Sequence, residues 1–253
     1  MPWQDGDRSD GMSVLLVLGA SSDLGCALID SVAERYETIW ATYRTMNENL
    51  EALVRKHDGR IRPVHADLSD KEDIEELIDT VRRSAGAASG AAIPDHIVHI
   101  PMAPYAVKKF VKTDEEDFEA SMLLAIRSTV MPLQAFLPDM KKNRNGRVVF
   151  VLSSVTEGDV PEFQSAYVTV KYALLGLMKS LASEYAGTGV HINAVSPDMM
   201  DTRYISGLSH LMIEQYAGNR SGGKLLETLD VVPHIEHLLL DEGAGDGENI
   251  LIV

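Results

Sequence analysis

One cysteine, Cys26, stands in 253 residues, so no intramolecular disulfide can form. That scarcity fits a reducing, cytoplasmic setting. Positive charge is also scarce: 23 lysines and arginines face 38 aspartates and glutamates, for a formal charge of −15. A surface this acidic excludes a general binder of nucleic acid or of anionic membranes. No apolar run approaches transmembrane length. The opening MPWQDGDRSDGMS is polar and acidic, without the apolar stretch of a secretory signal, and residues 1–12 read as a loose tail. Internal repeats and low-complexity linkers are lacking too, so residues 13–253 are expected to form one domain. Hydrophobic residues reach 45%, enough for a large core, which excludes disorder along the whole chain.

Strand-like and helix-like patterns alternate. Apolar stretches at 13–19, 38–43, 61–66, 95–100, 146–154, 190–196 and 249–253 read as strands. Helical patterns fall at 24–36, 47–57, 69–85, 113–142, 164–186 and 228–241. Ser69 is the expected N-cap of the third helix. Pro132 and Pro138 are expected to bend or end the fourth. The small-residue stretch 85–92 reads as a loop. This alternation predicts an α/β fold, a Rossmann-type doubly wound parallel sheet with helices on both faces. Ligands of such sheets bind beyond the carboxyl ends of the strands, so chemistry is sought there.

The stretch GASSDLG, residues 19–25, follows the first strand and opens a helix. Helix N-terminal N–H groups and the helix dipole attract a pyrophosphate. Gly19 permits the tight turn, and Gly25 lets the helix pack close to the strand. Ser21, Ser22, Asp23 and Leu24 complete the loop. Asp23 stands where such loops carry another glycine. Turned inward, its carboxylate would repel a pyrophosphate. Turned outward, it suits the helix start as a cap, and this is the expected arrangement. Cys26, just beyond, reads as a small buried packing residue.

A second group lies in SSVTEGDVPEFQSAYVTVK. Ser153 and Ser154 end the fifth strand. Tyr167 and Lys171, at i and i+4, share one face of the next helix. An ammonium beside a phenol favours the phenolate and is expected to lower its pKa. A strand-end serine can hydrogen-bond a carbonyl oxygen while the phenol protonates it. Alone, such a pair is more often a half-buried tyrosine and a surface lysine.

The ordered set changes that reading. GASSDLG, then ADL at 66–68, LSS thirteen residues before YVTVK, then GLMKSLASEYAGTGVHINAVSP and Asp201-Thr202 resemble the short-chain dehydrogenase/reductase family over residues 13–253. The resemblance implies hydride transfer with a nicotinamide cofactor. It implies Tyr167 as proton donor and Lys171 as the residue that lowers its pKa and holds the nicotinamide ribose. It gives Ser154, rather than Ser153, the carbonyl. Gly19 to Gly25 would cradle the pyrophosphate, Asp67 and Leu68 would lie by the adenine, and Pro197 and Thr202 near the nicotinamide end. Tyr43 replaces the acid that would hold an NAD ribose, and Arg44 follows it, placed for a 2′-phosphate. NADP(H) is therefore favoured, with NAD(H) possible.

Three departures stand out. HIPMAP (99–104) replaces an Asn-Asn-Ala-Gly stretch, Ala125 occupies the place of a helix-four asparagine, and Asp198 follows Pro197 where glycine is usual. They motivate an alternative from another class, a non-catalytic NAD(P)-binding sensor or assembly subunit. The expected function is an NADP-preferring reductase interconverting a ketone and a secondary alcohol. Its substrate would be a 3-oxoacyl thioester, free or carrier-bound, or else a sugar-derived or polyol ketone. Lys108, Lys109 and Lys112 form a basic cluster that could attract an anionic carrier, although a solvated loop explains it as well. Met199, Met200, Tyr204, Leu208, Leu211, Met212 and Tyr216 suit an apolar substrate lid. His96 and His99 fall on opposite strand faces, and His234 and His237 alone do not make a site, so no metal is expected. The resemblance implies a homodimer or homotetramer through helices 113–141 and 164–186.

Overall fold

The first strand, β1 (Val14–Leu18), is buried at all five positions. A central parallel strand meets apolar layers on both faces, and VLLVL supplies both. In the computed structural model, which describes residues 13–86, 93–158, 160–218, 223–241 and 243–253, six more strands join it. They are β2 (Thr38–Tyr43), β3 (Ile61–His65), β4 (His96–His99), β5 (Gly146–Val151), β6 (Val190–Pro197) and β7 (Asn249–Ile252). All pair in parallel in the order β3-β2-β1-β4-β5-β6-β7. The order reverses between β1 and β4, and that crevice is where a doubly wound sheet receives ligands. The 85–92 loop falls largely outside the described residues, as does the 1–12 tail.

Helices α1 (Asp23–Val32), α2 (Glu48–Lys56), α3 (Lys71–Gly86), α4 (Glu115–Asn143), α5 (Ser165–Tyr185), α6 (His210–Gly218) and α7 (Thr228–Leu240) connect the strands. Two separate cores result. Leu15 and Val17 of β1 pack with α1 and α7, while Val14, Leu16 and Leu18 pack with α3, α4 and α5. The alternating side chains of one strand thus serve both layers.

Two local expectations are corrected. Asp70, not Ser69, caps α3: its carboxylate accepts the Asp73 N–H at 3.1 Å. Ser69 is drawn off to Asp67, to which its hydroxyl donates at 2.6 Å. α4 runs unbroken through Pro132 and Pro138. Each proline removes one N–H, but burial of Pro132, Leu133, Phe136 and Leu137 against the sheet holds the helix. α4 is also long and apolar enough to cross a membrane by length and composition, with a window of mean hydropathy 1.3. The stretch is nonetheless no uninterrupted apolar run, since Arg127, Ser128, Thr129 and Gln134 break it. Its apolar residues instead line a core stripe that includes Ala125, Phe136 and Met140.

Candidate active site

The glycine loop is built as its sequence requires. Gly19 has φ +82°, a region that favours glycine, and a Cβ there would stand 3.3 Å from Pro101 N. At Gly25 a Cβ would come within 2.7 Å of the Ala20 carbonyl oxygen, so only glycine lets α1 sit this close to the loop. The cap of α1 is Ser22, whose Oγ accepts the Gly25 N–H at 3.0 Å and donates to the Gly19 carbonyl at 2.8 Å. The capping role expected of Asp23 thus falls to its neighbour. Asp23 turns its carboxylate to Arg203 instead, accepting Nε at 2.6 Å and the backbone N–H at 2.7 Å. The N–H groups of Ser21, Asp23 and Leu24 take no part in these bonds, as the first turn of a helix dictates. Cys26 lies beneath, buried, its thiol pushed up to about 11 by burial. That makes it a packing residue rather than a nucleophile.

One cavity of about 890 Å³ gathers the sequence-derived residues. Gly19, Ser21 to Leu24, Tyr43, Arg44, Asp67, Leu68, Ser154, Tyr167, Lys171, Pro197 and Thr202 all line it. Gly25 is the exception, because it packs behind the loop. The residues arrive from the carboxyl ends of β1, β2, β3, β5 and β6 and from the first turns of α5. A glycine-opened loop at a helix start at one end and a hydroxyl, phenol and amine group at the other fit an extended dinucleotide.

At the chemical end, Lys171 is buried and donates from Nζ to the Val151 carbonyl at 2.9 Å. Nζ lies 5.7 Å from the centre of the Tyr167 ring. Burial lowers the lysine pKa to about 7. The expected depression of the Tyr167 pKa is not what this site produces. Burial pushes the phenol up to about 12, the adjacent Ser153 hydroxyl draws it down and Asp198 raises it. Desolvation opposes charge on both groups, so neither alone ionises the other. The two serines divide their contacts. Ser153 sits beside the phenol, and Ser154 donates from Oγ to the Asp198 carboxylate at 3.2 Å.

Ala125 is buried, and its carbonyl accepts the Thr129 hydroxyl at 2.7 Å. Thr129 Oγ1 and Ser128 Oγ lie 2.9 and 2.8 Å from Nε2 of the buried His99. Burial lowers His99 to about 3, with nearby Lys171 adding to the effect. His96 serves the other face, where Nδ1 meets the Tyr36 hydroxyl at 2.7 Å.

Tyr105, which sequence reasoning missed, joins the expected lid residues Tyr204 and Tyr216 in a group of phenols at the cavity. Tyr105 packs edge-on against Tyr167 and Tyr204, with centroids 5.7 and 5.5 Å apart. Tyr204 donates to the Ala103 carbonyl at 3.0 Å, and Gln164 donates to the Tyr216 hydroxyl at 3.0 Å. Of the expected lid residues, Met199, Met200, Tyr204 and Tyr216 reach the cavity. Leu208, Leu211 and Met212 do not line it, and Leu211 is exposed, because α6 buries none of its residues. The lysine cluster does not line it either. Lys108 is committed to Asp117 at 2.5 Å.

The chain is similar to several known proteins. The chain is 28% identical over 192 residues to the 3-oxoacyl-acyl-carrier-protein reductase FabG of Thermotoga maritima, covering 75% of this chain and 74% of that one. It is 30% identical over 201 residues to the 2-(R)-hydroxypropyl-CoM dehydrogenase of Xanthobacter autotrophicus, covering 75% of each. The solved structure of ElxO with NADP bound superimposes with a TM-score of 0.83 at 22% identity, covering 96% of this chain and 97% of that one. The short chain dehydrogenase family model matches residues 13–210. A parallel seven-stranded sheet, a glycine loop at its switch point and this match together make the chain a member of the short-chain dehydrogenase family, an NAD(P)-dependent oxidoreductase.

Proposed function

We propose that the protein is an NADP-preferring reductase that interconverts a ketone and a secondary alcohol, with Tyr167 as general acid and base. One observation carries this reading: Tyr167, Lys171 and the serine pair share a single cavity with the glycine loop and Arg44. Bound nicotinamide would supply the hydride. Ser153 and Ser154 would hold the carbonyl oxygen, and Tyr167 would give it a proton. Lys171 would hold the ribose and, when protonated, favour the phenolate that proton transfer leaves. Gly19 and the loop N–H groups would take the pyrophosphate, while Asp67 and Leu68 would flank the adenine. Exposed Arg44, beside Tyr43 and near enough to Asp67 to stabilise its carboxylate, supports a 2′-phosphate partner.

A 3-oxoacyl thioester is the first substrate class, on the likeness to the acyl-carrier-protein reductase. A hydroxylated ketone is the second. The phenol tips of Tyr105, Tyr204 and Tyr216 and the amide of Gln164 at the cavity favour a substrate with several hydroxyl groups. We further propose a homodimer through α4 and α5, where Leu123, Ile126 and Tyr172 remain exposed.

The test follows NADPH consumption across both classes of carbonyl. Turnover is expected with NADPH in preference to NADH. On the best substrate, Tyr167→Phe should lower kcat at least a hundredfold, about the size of a general-acid contribution, with NADPH binding retained. Full activity in that variant would overturn the mechanism.

A further inference from the structure

We propose that Arg203 is a phosphate ligand for the dinucleotide, held in place by Asp23; this rests on the cofactor reading above. Asp23 opens α1 inside the glycine loop, where a lone carboxylate would repel a diphosphate. It is not alone. Three donors of one residue reach it: Arg203 N at 2.7 Å, Nε at 2.6 Å and Nη2 at 2.6 Å. Nη2 also donates to the Ser21 carbonyl at 3.1 Å. Arg203 is thus pinned to the loop by backbone and side chain together, from 180 residues away in sequence.

An exposed ion pair by itself would contribute little. This one includes a backbone donor and lies on the wall of the cofactor cavity, which both residues line. Asp23 is neutralised, and the guanidinium is not used up. Its Nη1 group carries two further N–H donors that none of these bonds engages. A guanidinium held rigidly at two corners is well suited to a phosphate at the third. The loop N–H groups would then bind the diphosphate from the helix side and Arg203 from the opposite strand-end segment. Asp23 is the part that aims the arginine.

The placement also joins the two ends of the site. Arg203 begins the 3-10 turn Arg203–Ile205, and the next residue, Tyr204, packs on Tyr105, which packs on Tyr167. A phosphate gripped by Arg203 would hold the wall beside the phenol.

The experiment titrates NADPH by fluorescence, in parallel with adenosine 2′-monophosphate, which lacks the diphosphate. Arg203→Ala should weaken NADPH roughly tenfold or more, the scale of a lost charge-assisted contact, and leave the monophosphate unchanged. Arg203→Lys should recover part of the loss. Asp23→Asn should weaken NADPH in the native background and add nothing to Arg203→Ala. NADPH binding by Arg203→Ala equal to that of the unaltered protein would overturn the proposal. Equal loss for both ligands would overturn it too, since the arginine would then be structural. Tighter NADPH binding by Asp23→Gly would show the carboxylate to be a defect in the cradle. An unaltered protein that binds neither ligand would remove the cofactor reading itself, and this inference with it.

Discussion

Burial sets the behaviour of the Tyr167–Lys171 pair more than spacing does. The i, i+4 step was legible in the sequence because it depends only on helix geometry. The desolvation around it was not, because it depends on which elements close over the two side chains. The consequence can be measured as stability against pH. Lys171 has a folded pKa of about 7 against an ordinary 10.5. Between those values the unfolded chain holds a proton that the folded protein has released, so stability rises with pH in that window. Tyr167, raised from 10 to about 12, acts in the opposite sense only above 10. Denaturation of the native protein should therefore show a gain between pH 7 and 10 attributable to Lys171, with a slope approaching about 1.4 kcal/mol per pH unit. Lys171→Met should lack that slope and be the more stable protein at pH 7 and below. Parallel pH profiles for the two proteins would refute the assignment.

At the level of elements, apolar patterning placed every strand of the sheet and six of the helices α1 to α7 within a few residues; α6, with none of its residues buried, carried no such pattern. Buried parallel strands such as VLLVL leave little ambiguity when helices separate them. Helix caps were harder. Ser69 has the right chemistry for a cap, but Asp67 stands two residues before it and takes its hydroxyl. The prolines of α4 misled for a related reason: propensity describes an isolated helix, and this one is held by the sheet. The same helix carries the proposed dimer contact. Leu123 is 46% exposed and Ile126 38% exposed, on a helix whose opposite stripe is buried. Replacing both with lysine should leave the circular dichroism spectrum unchanged and convert a dimer to a monomer in sedimentation velocity. A dimer that survives the double substitution would place the interface elsewhere.

Across the whole molecule, the fold brings together what no local pattern could connect. Tyr105 lies in an irregular segment after β4, and Arg203 in a turn after β6, yet one meets Tyr167 and the other meets Asp23. Spacing rules recover contacts within a helix or strand; these contacts exist only because parallel strands deliver all their carboxyl ends to one edge of the sheet. The cavity-lining residues legible in the sequence were therefore its regular part, the glycine loop, the serine pair, Tyr167 and Lys171, together with much of the segment after β6. Tyr105, Gln164 and Arg203 of the irregular wall were not.

Arg44 and Arg203 lie on a cavity of a protein whose formal charge is −15. A polyanionic dinucleotide approaching from bulk solution meets repulsion at long range and attraction only at contact. Salt acts on the two ranges differently, because screening reaches distant charges before close pairs. Raising ionic strength from low values should first speed NADPH association, in contrast to the slowing seen when opposite charges steer an encounter. It should also hasten dissociation by weakening the arginine contacts. Stopped-flow measurements would resolve the two trends, and association that slows from the first addition of salt would show that the local arginines, not the net charge, govern the approach.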